Sequence, residues 1–211
     1  MGHRLTLKAA RHIPMLATAG LMVASAIIAV VSEQGPTATV PLLVLPATLP
    51  PLIVERWARI RIPFSLQLQY AVLLIAGPYI GEHIGLYHAW DPWDKWVHLY
   101  SGFAISLGII FALGITLRRY SLSLPPWVEA VIIIAVKACV ALLWEVAEFF
   151  WDLIFGTSAQ DHNFDTMTDM MLGTLPGFLL AAALILHRSK GWFGHLDSLL
   201  NAPIPSAGGH R

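Results

Sequence analysis

Apolar residues along this chain gather into six long runs separated by short polar connections: residues 13–31, 38–54, 64–84, 96–117, 127–150 and 166–187. At about 1.5 Å of rise per residue, some 20 residues of helix cross a hydrocarbon core roughly 30 Å thick, and most of the runs reach that length. The pattern predicts an all-α fold, a polytopic membrane helical bundle of about six transmembrane helices. It fills 1–211 as a single membrane domain, with 188–211 as a flexible, Gly-, Pro- and Ser-containing tail.

Two runs carry extra signals. The first follows Arg4, Lys8 and Arg11 and contains Ala24-Ser25-Ala26, which resembles a secretory cleavage site. Its length exceeds the ~7–15 residues of a signal h-region, so it reads as the first span. The second holds Pro41, Pro46, Pro50 and Pro51, each removing a backbone donor, so a bent or re-entrant segment is expected there.

Composition reinforces the pattern. The chain is 56% hydrophobic and 12% charged, against about 25% charged in soluble domains, and the runs leave no length for a separate soluble domain. Net charge is zero, which argues against a nucleic-acid partner, since such proteins cluster an excess of Lys and Arg. The one cysteine, Cys139, lies inside an apolar run and reads as a packing residue.

The placement of charge is more informative than its sum. Arg4, Lys8, Arg11, Arg56, Arg59, Arg61, Arg118, Arg119, Arg188, Lys190 and Arg211 all fall on alternate sides of six spans, leaving Lys95 and Lys137 as exceptions. Connections rich in Lys and Arg stay in the cytoplasm, so both termini are expected there, with the opposite loops outside, in the periplasm if the host is a Gram-negative bacterium. Most acids take the other side: Glu33, Glu82, Asp91, Asp94, Glu145, Glu148, Asp152, Asp161, Asp165 and Asp169. Glu55, Glu129 and Asp197 remain inside.

Three polar clusters at the outer ends of consecutive spans are the candidate site. Asp94 and His98 share a helix face at i, i+4; Glu145, Glu148 and Asp152 form a stripe at i, i+3, i+7; Asp165 and Asp169 repeat the i, i+4 spacing. Ionisable groups at membrane depth are costly and usually face the bundle interior or a cavity. Asp94, Asp161 and Asp165 have a simpler reading as helix-start acids. Glu145 and Glu148 lie near a helix C-terminus, where the dipole disfavours carboxylates, and that reading fails for them. His98 is equally a structural histidine held by a carboxylate, Lys95 a neutraliser of Asp91 or Asp94, and Lys137 a mid-span cation without a partner that the sequence identifies.

Asp94, His98, Glu145, Glu148, Asp165 and Asp169 are therefore the expected pocket and the candidate metal ligands. One histidine among carboxylates suits a divalent Mn, Fe or Mg ion better than a closed zinc site. The leading expectation is a pocket for a cation, or for a lipid-linked or small polar ligand, in a protein whose surroundings are the lipid bilayer. Two alternatives stay open beside a purely structural role as an assembly partner. One is a metal-dependent membrane enzyme with Glu145, Glu148 or His98 in catalysis; the other is a small transporter or proton-coupled carrier using the acids and Lys137 as a relay.

Three motifs carry a resemblance. Asp94-Lys95-Trp96-Val97-His98 followed by Gly102-Phe103, then Trp144-Glu145-Val146-Ala147-Glu148-Phe149, then Phe164-Asp165-Thr166-Met167-Thr168-Asp169-Met170 with Gly173 resemble the YjdF family of bacterial inner-membrane proteins in order and spacing. The resemblance implies a polytopic membrane protein and no particular activity. More distantly the chain is similar to VanZ-like membrane proteins, whose pattern falls on Asp94, His98, Glu145, Glu148, Asp165 and Asp169, with Glu148 standing where that family's Gln is expected.

Overall fold

The computed structural model describes residues 10–32, 35–157, 159–160 and 162–204. Arg4, Lys8, Glu33, Asp161 and Arg211, which belong to the charge pattern above, lie outside the described residues. Six helical stretches are long and apolar enough to cross a membrane: Ile13–Val31, Thr39–Ala58, Phe64–His83, Pro92–Arg119, Pro126–Phe155 and Asn163–Lys190. No strand occurs among the described residues. Packing divides the described residues into two units, one up to residue 94 together with 203–204, the other within 95–202.

The first unit contains α1 (Ile13–Val31), α2 (Thr39–Val44), α3 (Pro50–Ala58), α4 (Phe64–Leu74) continuing into a π-helical stretch over Ile75–His83, and the short α5 (Leu86–Ala89). Its core joins Met22, Val44 and Leu74, with Leu21, Val40, Tyr70 and Tyr79 packed around them. The proline-rich second span is helical but broken, with a 3-10 turn over Pro46–Thr48 between α2 and α3. Local chemistry explains how the breaks are tolerated. The carbonyl of Ala47 has Pro51 as its helical partner and so finds no N–H four residues on; the Tyr70 hydroxyl donates to it instead, at 2.8 Å. The carbonyl of Pro46 faces Pro50 in the same way and accepts from the Leu49 N–H at 3.1 Å, one residue earlier.

Charge in this unit is also neutralised locally. Glu55 is buried and accepts from Arg11 Nη2 at 3.0 Å and from the Ile62 backbone N–H at 2.7 Å. Gln67, fully buried, bridges to the His12 ring at 3.2 Å and donates to the Ile62 carbonyl at 3.2 Å. A buried carboxylate with its partners supplied is tolerated where a bare one is not.

The second unit is built from α6 (Pro92–Arg119), α7 (Pro126–Phe155), α8 (Asn163–Lys190) and α9 (Leu196–Leu200). The division falls after Asp94, within the first turn of α6, and the helix runs unbroken across it. Small residues set how closely α6 and α8 approach. A Cβ added at Gly102 would sit 2.6 Å from the Gly173 carbonyl oxygen and 2.7 Å from Pro176 Cγ; one added at Gly177 would sit 3.2 Å from Lys137 Cβ and Cγ and 3.6 Å from Ser106 Oγ. Residues 102 and 106 thus meet 173 and 177, a constant offset of 71 (173 − 102 and 177 − 106). A constant positive offset means that α6 and α8 run parallel, with α7 returning between them.

At the far end, Gly114 gives the same kind of clearance to α9, whose Leu200 carbonyl oxygen would lie 2.6 Å from an added Cβ. Leu196, Leu199, Leu200 and Ala202 are buried there, in a segment that composition alone reads as loose tail. Beside them Arg188 donates from Nε and Nη2 to the buried Glu129, at 3.3 and 3.0 Å.

Two neighbouring glycines of α6 make the packing testable. Gly102→Ala forces α6 and α8 apart and is expected to lower stability by about 1–3 kcal/mol. Gly108 has nothing within 4 Å of an added Cβ, so Gly108→Ala is expected to be neutral or to stabilise by up to ~1 kcal/mol through helix propensity. Thermal melts of the purified variants in detergent check both; equal responses would contradict the register.

Candidate functional site

The offset of 71 carries up to the first turns of α6 and α8 and brings their polar residues level. Asp165, in the first turn of α8, and Asp169, one turn later, both receive the ammonium of Lys95. Asp169 takes it on both oxygens, at 2.8 and 3.0 Å. Asp169 is 2% exposed, whereas Lys95 and Asp165 are partly open. Sequence alone points Lys95 toward Asp91 or Asp94; its partners 70 and 74 residues away belong to a different helix.

His98 lies one turn after Lys95's neighbour Asp94 on the continuous α6. Asp94, His98 and Asp169 each bring one ligand-competent atom within 4.8 Å of the others. An ionised carboxylate has about four lone-pair sites. Asp169 therefore accepts from Lys95 and still has capacity for a cation beside His98. Glu145, Glu148 and Asp165 are not part of this three-residue group.

The acids of α7 separate by depth. Glu145 is buried, and Gln160 Nε2 donates both to its backbone carbonyl at 3.0 Å and to its carboxylate at 3.4 Å. Ala141 Cβ lies 3.6 Å from an added Cβ at Gly173. Because α7 is antiparallel to α8, one turn further on each helix puts Glu145 at the level of Asp169. Glu148 is half-buried and accepts from the Trp144 indole N–H at 2.6 Å. Asp152 serves the architecture instead. It accepts from Thr157 Oγ1 at 2.6 Å and from the backbone N–H groups of Ala159 and Gln160 at 2.7 and 2.8 Å. That carboxylate shapes the loop after α7 and so places Gln160 against Glu145.

Below this ring the interior changes character. Lys137 is 1% exposed, its stem against Gly177 and its Nζ 3.4 Å from an added Cβ at Gly173. Ser106, fully buried, faces Gly177 from α6. Deeper still come Ile110, Ile133 and Leu184, all 0% exposed, before Glu129 and Arg188. The polar column thus enters from the Asp94 end, reaches Lys137 and Ser106, and stops at an apolar plug.

A family model described as a predicted membrane protein, DUF2238, matches residues 13–190. The chain belongs to the DUF2238 family. The match takes in all six spans of this DUF2238 protein and every candidate residue above. No curated protein and no solved structure matches it. The VanZ-like resemblance gains no support from these comparisons.

Four further residues contribute to the candidate site of this DUF2238 protein, and their part in it is not evident from the sequence. Gly173 and Gly177 stand four apart in α8, a small-xxx-small spacing that Gly102, Gly108 and Gly114 of α6 do not share. Gln160 and Ser106 carry no signal at all, being single neutral residues in a loop and an apolar run.

The energetic roles of the two lysines differ, and stability measurements separate them. Lys95→Met leaves Asp169 buried without that cation and is expected to cost about 2–4 kcal/mol. Lys137→Met removes a buried ammonium that has no ion pair or hydrogen bond among the described residues, and is expected to raise the melting temperature by several degrees. A loss of stability in Lys137→Met would show that Lys137 is a structural ion-pair member.

Proposed function

We propose that this DUF2238 protein is a multi-pass protein of the bacterial cytoplasmic membrane, with both termini in the cytoplasm, whose pocket at the outer ends of α6, α7 and α8 binds a divalent cation. The YjdF resemblance fits the same family. The observation that carries the reading is the Asp94–His98–Asp169 group, with one ligand-competent atom from each within 4.8 Å of the others. Carboxylate oxygens with a single imidazole favour Mn, Fe or Mg, and the lack of a thiolate in the group disfavours a structural zinc site.

Charge supports the same conclusion. Asp94, Glu145, Asp165 and Asp169 bring four carboxylates to one end of α6, α7 and α8 around the ammonium of Lys95. Carboxylates clustered in a low-dielectric setting favour a bound cation or shared protons. The apolar plug of Ile110, Ile133 and Leu184 favours a closed-ended pocket over the carrier reading, because a carrier's polar residues continue to the other side.

A metal-dependent enzyme is the second reading, favoured by Glu145. Buried and hydrogen-bonded to Gln160, Glu145 would act as the general base, and a cation held by Asp94, His98 and Asp169 would supply an activated water.

Metal analysis of the purified full chain, followed by titration with Mn²⁺, tests the cation site. The expected result is one Mn²⁺ per chain, with affinity falling tenfold or more in His98→Ala and Asp169→Asn and unchanged in Asp152→Asn. Equal Mn²⁺ binding by all four proteins would sink the assignment.

A further inference from the structure

Ordinarily a lysine buried in a membrane span either reaches the interface with its ammonium or pairs with a carboxylate. Lys137 does neither. It stands eleven residues after Pro126, about 16 Å along α7 by helix rise, and its side chain lies along the glycine face of α8 in a layer lined by Gly173, Gly177, Ala141 and Ser106. Among the described residues it makes no ion pair or hydrogen bond. Ser106 Oγ, in the same layer, is likewise buried with no hydrogen-bond partner. Two unsatisfied polar side chains in one layer of an otherwise apolar interior are costly, and their chemistry is complementary to an anion: an ammonium and a hydroxyl, both donors.

The layer above supplies the rest. Asp94, His98 and Asp169 offer one ligand atom each, whereas Mg²⁺ and similar ions take about six, commonly completed by waters and by phosphate oxygens of a ligand. One helical turn, about 6 Å, separates Asp169 from Gly173, beside which Lys137 Nζ lies. A tetrahedral phosphate is large enough to offer one oxygen to a cation and another to the ammonium across that interval. Glycine at 173 adds no side chain of its own beside the Lys137 ammonium.

We infer that Lys137 and Ser106 form the floor of the pocket and bind the phosphate group of a phosphorylated ligand. The inference deepens the cation-pocket reading and rests on it for the second contact to the phosphate. Lys137 neutralises the phosphate and Ser106 donates to one of its oxygens. The cation held by Asp94, His98 and Asp169 takes the opposite side, and an attached alkyl chain would lie among the apolar faces of the spans.

The test uses the full chain in a neutral detergent, with decyl phosphate, inorganic phosphate and decanoate as probes, each with and without Mn²⁺, and thermal stabilisation as the readout. Wild type is expected to be stabilised by decyl phosphate and at least tenfold less sensitive to decanoate. In Lys137→Met the half-saturating decyl phosphate concentration is expected to rise at least tenfold and in Ser106→Ala about threefold, while Mn²⁺ binding stays as in wild type. A response to inorganic phosphate as strong as to decyl phosphate also supports the floor site and assigns it to the free ion. Decyl phosphate binding that is indifferent to both substitutions, or matched by decanoate, overturns the inference with Mn²⁺ binding intact. Phosphate binding that depends on Lys137 in a chain that binds no Mn²⁺ upholds the floor site and removes the cation reading instead. Ser106→Ala and Lys137→Arg provide the comparison where Lys137→Met does not fold.

Discussion

A carboxylate that is 2% exposed inside a membrane-spanning helix is tenable only with its charge compensated, and Lys95 does this for Asp169 with contacts to both oxygens. Much of the second unit follows from that pairing. Lys95 and Asp169 meet only when α6 and α8 hold one register, and the glycine contact at Gly102 and Gly173 fixes the same register by shape. Electrostatics and packing therefore specify one alignment, since a slip by a turn would both strand the carboxylate and drive side chains into backbone. His98 comes beside Asp169 as a consequence, being one turn ahead of Gly102 on the same helix.

The interior of α6, α7 and α8 is layered by this alignment. Acids, Lys95 and His98 occupy the first layers, Gln160 folding over Glu145 at the same level. A glycine layer carries Lys137 and Ser106, an apolar layer closes the column, and Glu129 with Arg188 pairs off charge at the other end. Most buried charge is thus met by a partner, as a low-dielectric environment requires, and Lys137 with Ser106 stands as the exception. The first unit meets the same constraint differently. Prolines there strip N–H donors from the second span, and neighbouring groups such as the Tyr70 hydroxyl satisfy the carbonyls that are left.

The number, order and approximate limits of the six spans are legible in the sequence because length and hydropathy alone decide them. The spans over 92–119, 126–155 and 163–190 extend beyond the apolar runs at both ends, since a helix continues through polar residues that its hydrogen bonds and caps accept. Which polar residues gather is legible only in part. Asp94 and His98, or Asp165 and Asp169, follow from spacing within one helix. The Lys95 pairing depends on the offset between two helices, which glycine contacts determine and no single-helix periodicity reveals. Asp152 has the spacing of a third member of an acidic stripe, yet its partners are loop amides that follow it, a local feature hidden by reading every carboxylate as a site residue.

The parallel register of α6 and α8 is the claim on which the proposed pocket depends, and disulfide trapping in native membranes tests it most directly. In a chain carrying Cys139→Ala, the pair His98→Cys with Asp169→Cys is expected to cross-link rapidly under mild oxidation, while His98→Cys with Asp165→Cys, one turn out of register, is expected to remain largely reduced. Preferential cross-linking of the second pair, or equal cross-linking of both, would contradict the alignment and the pocket built on it.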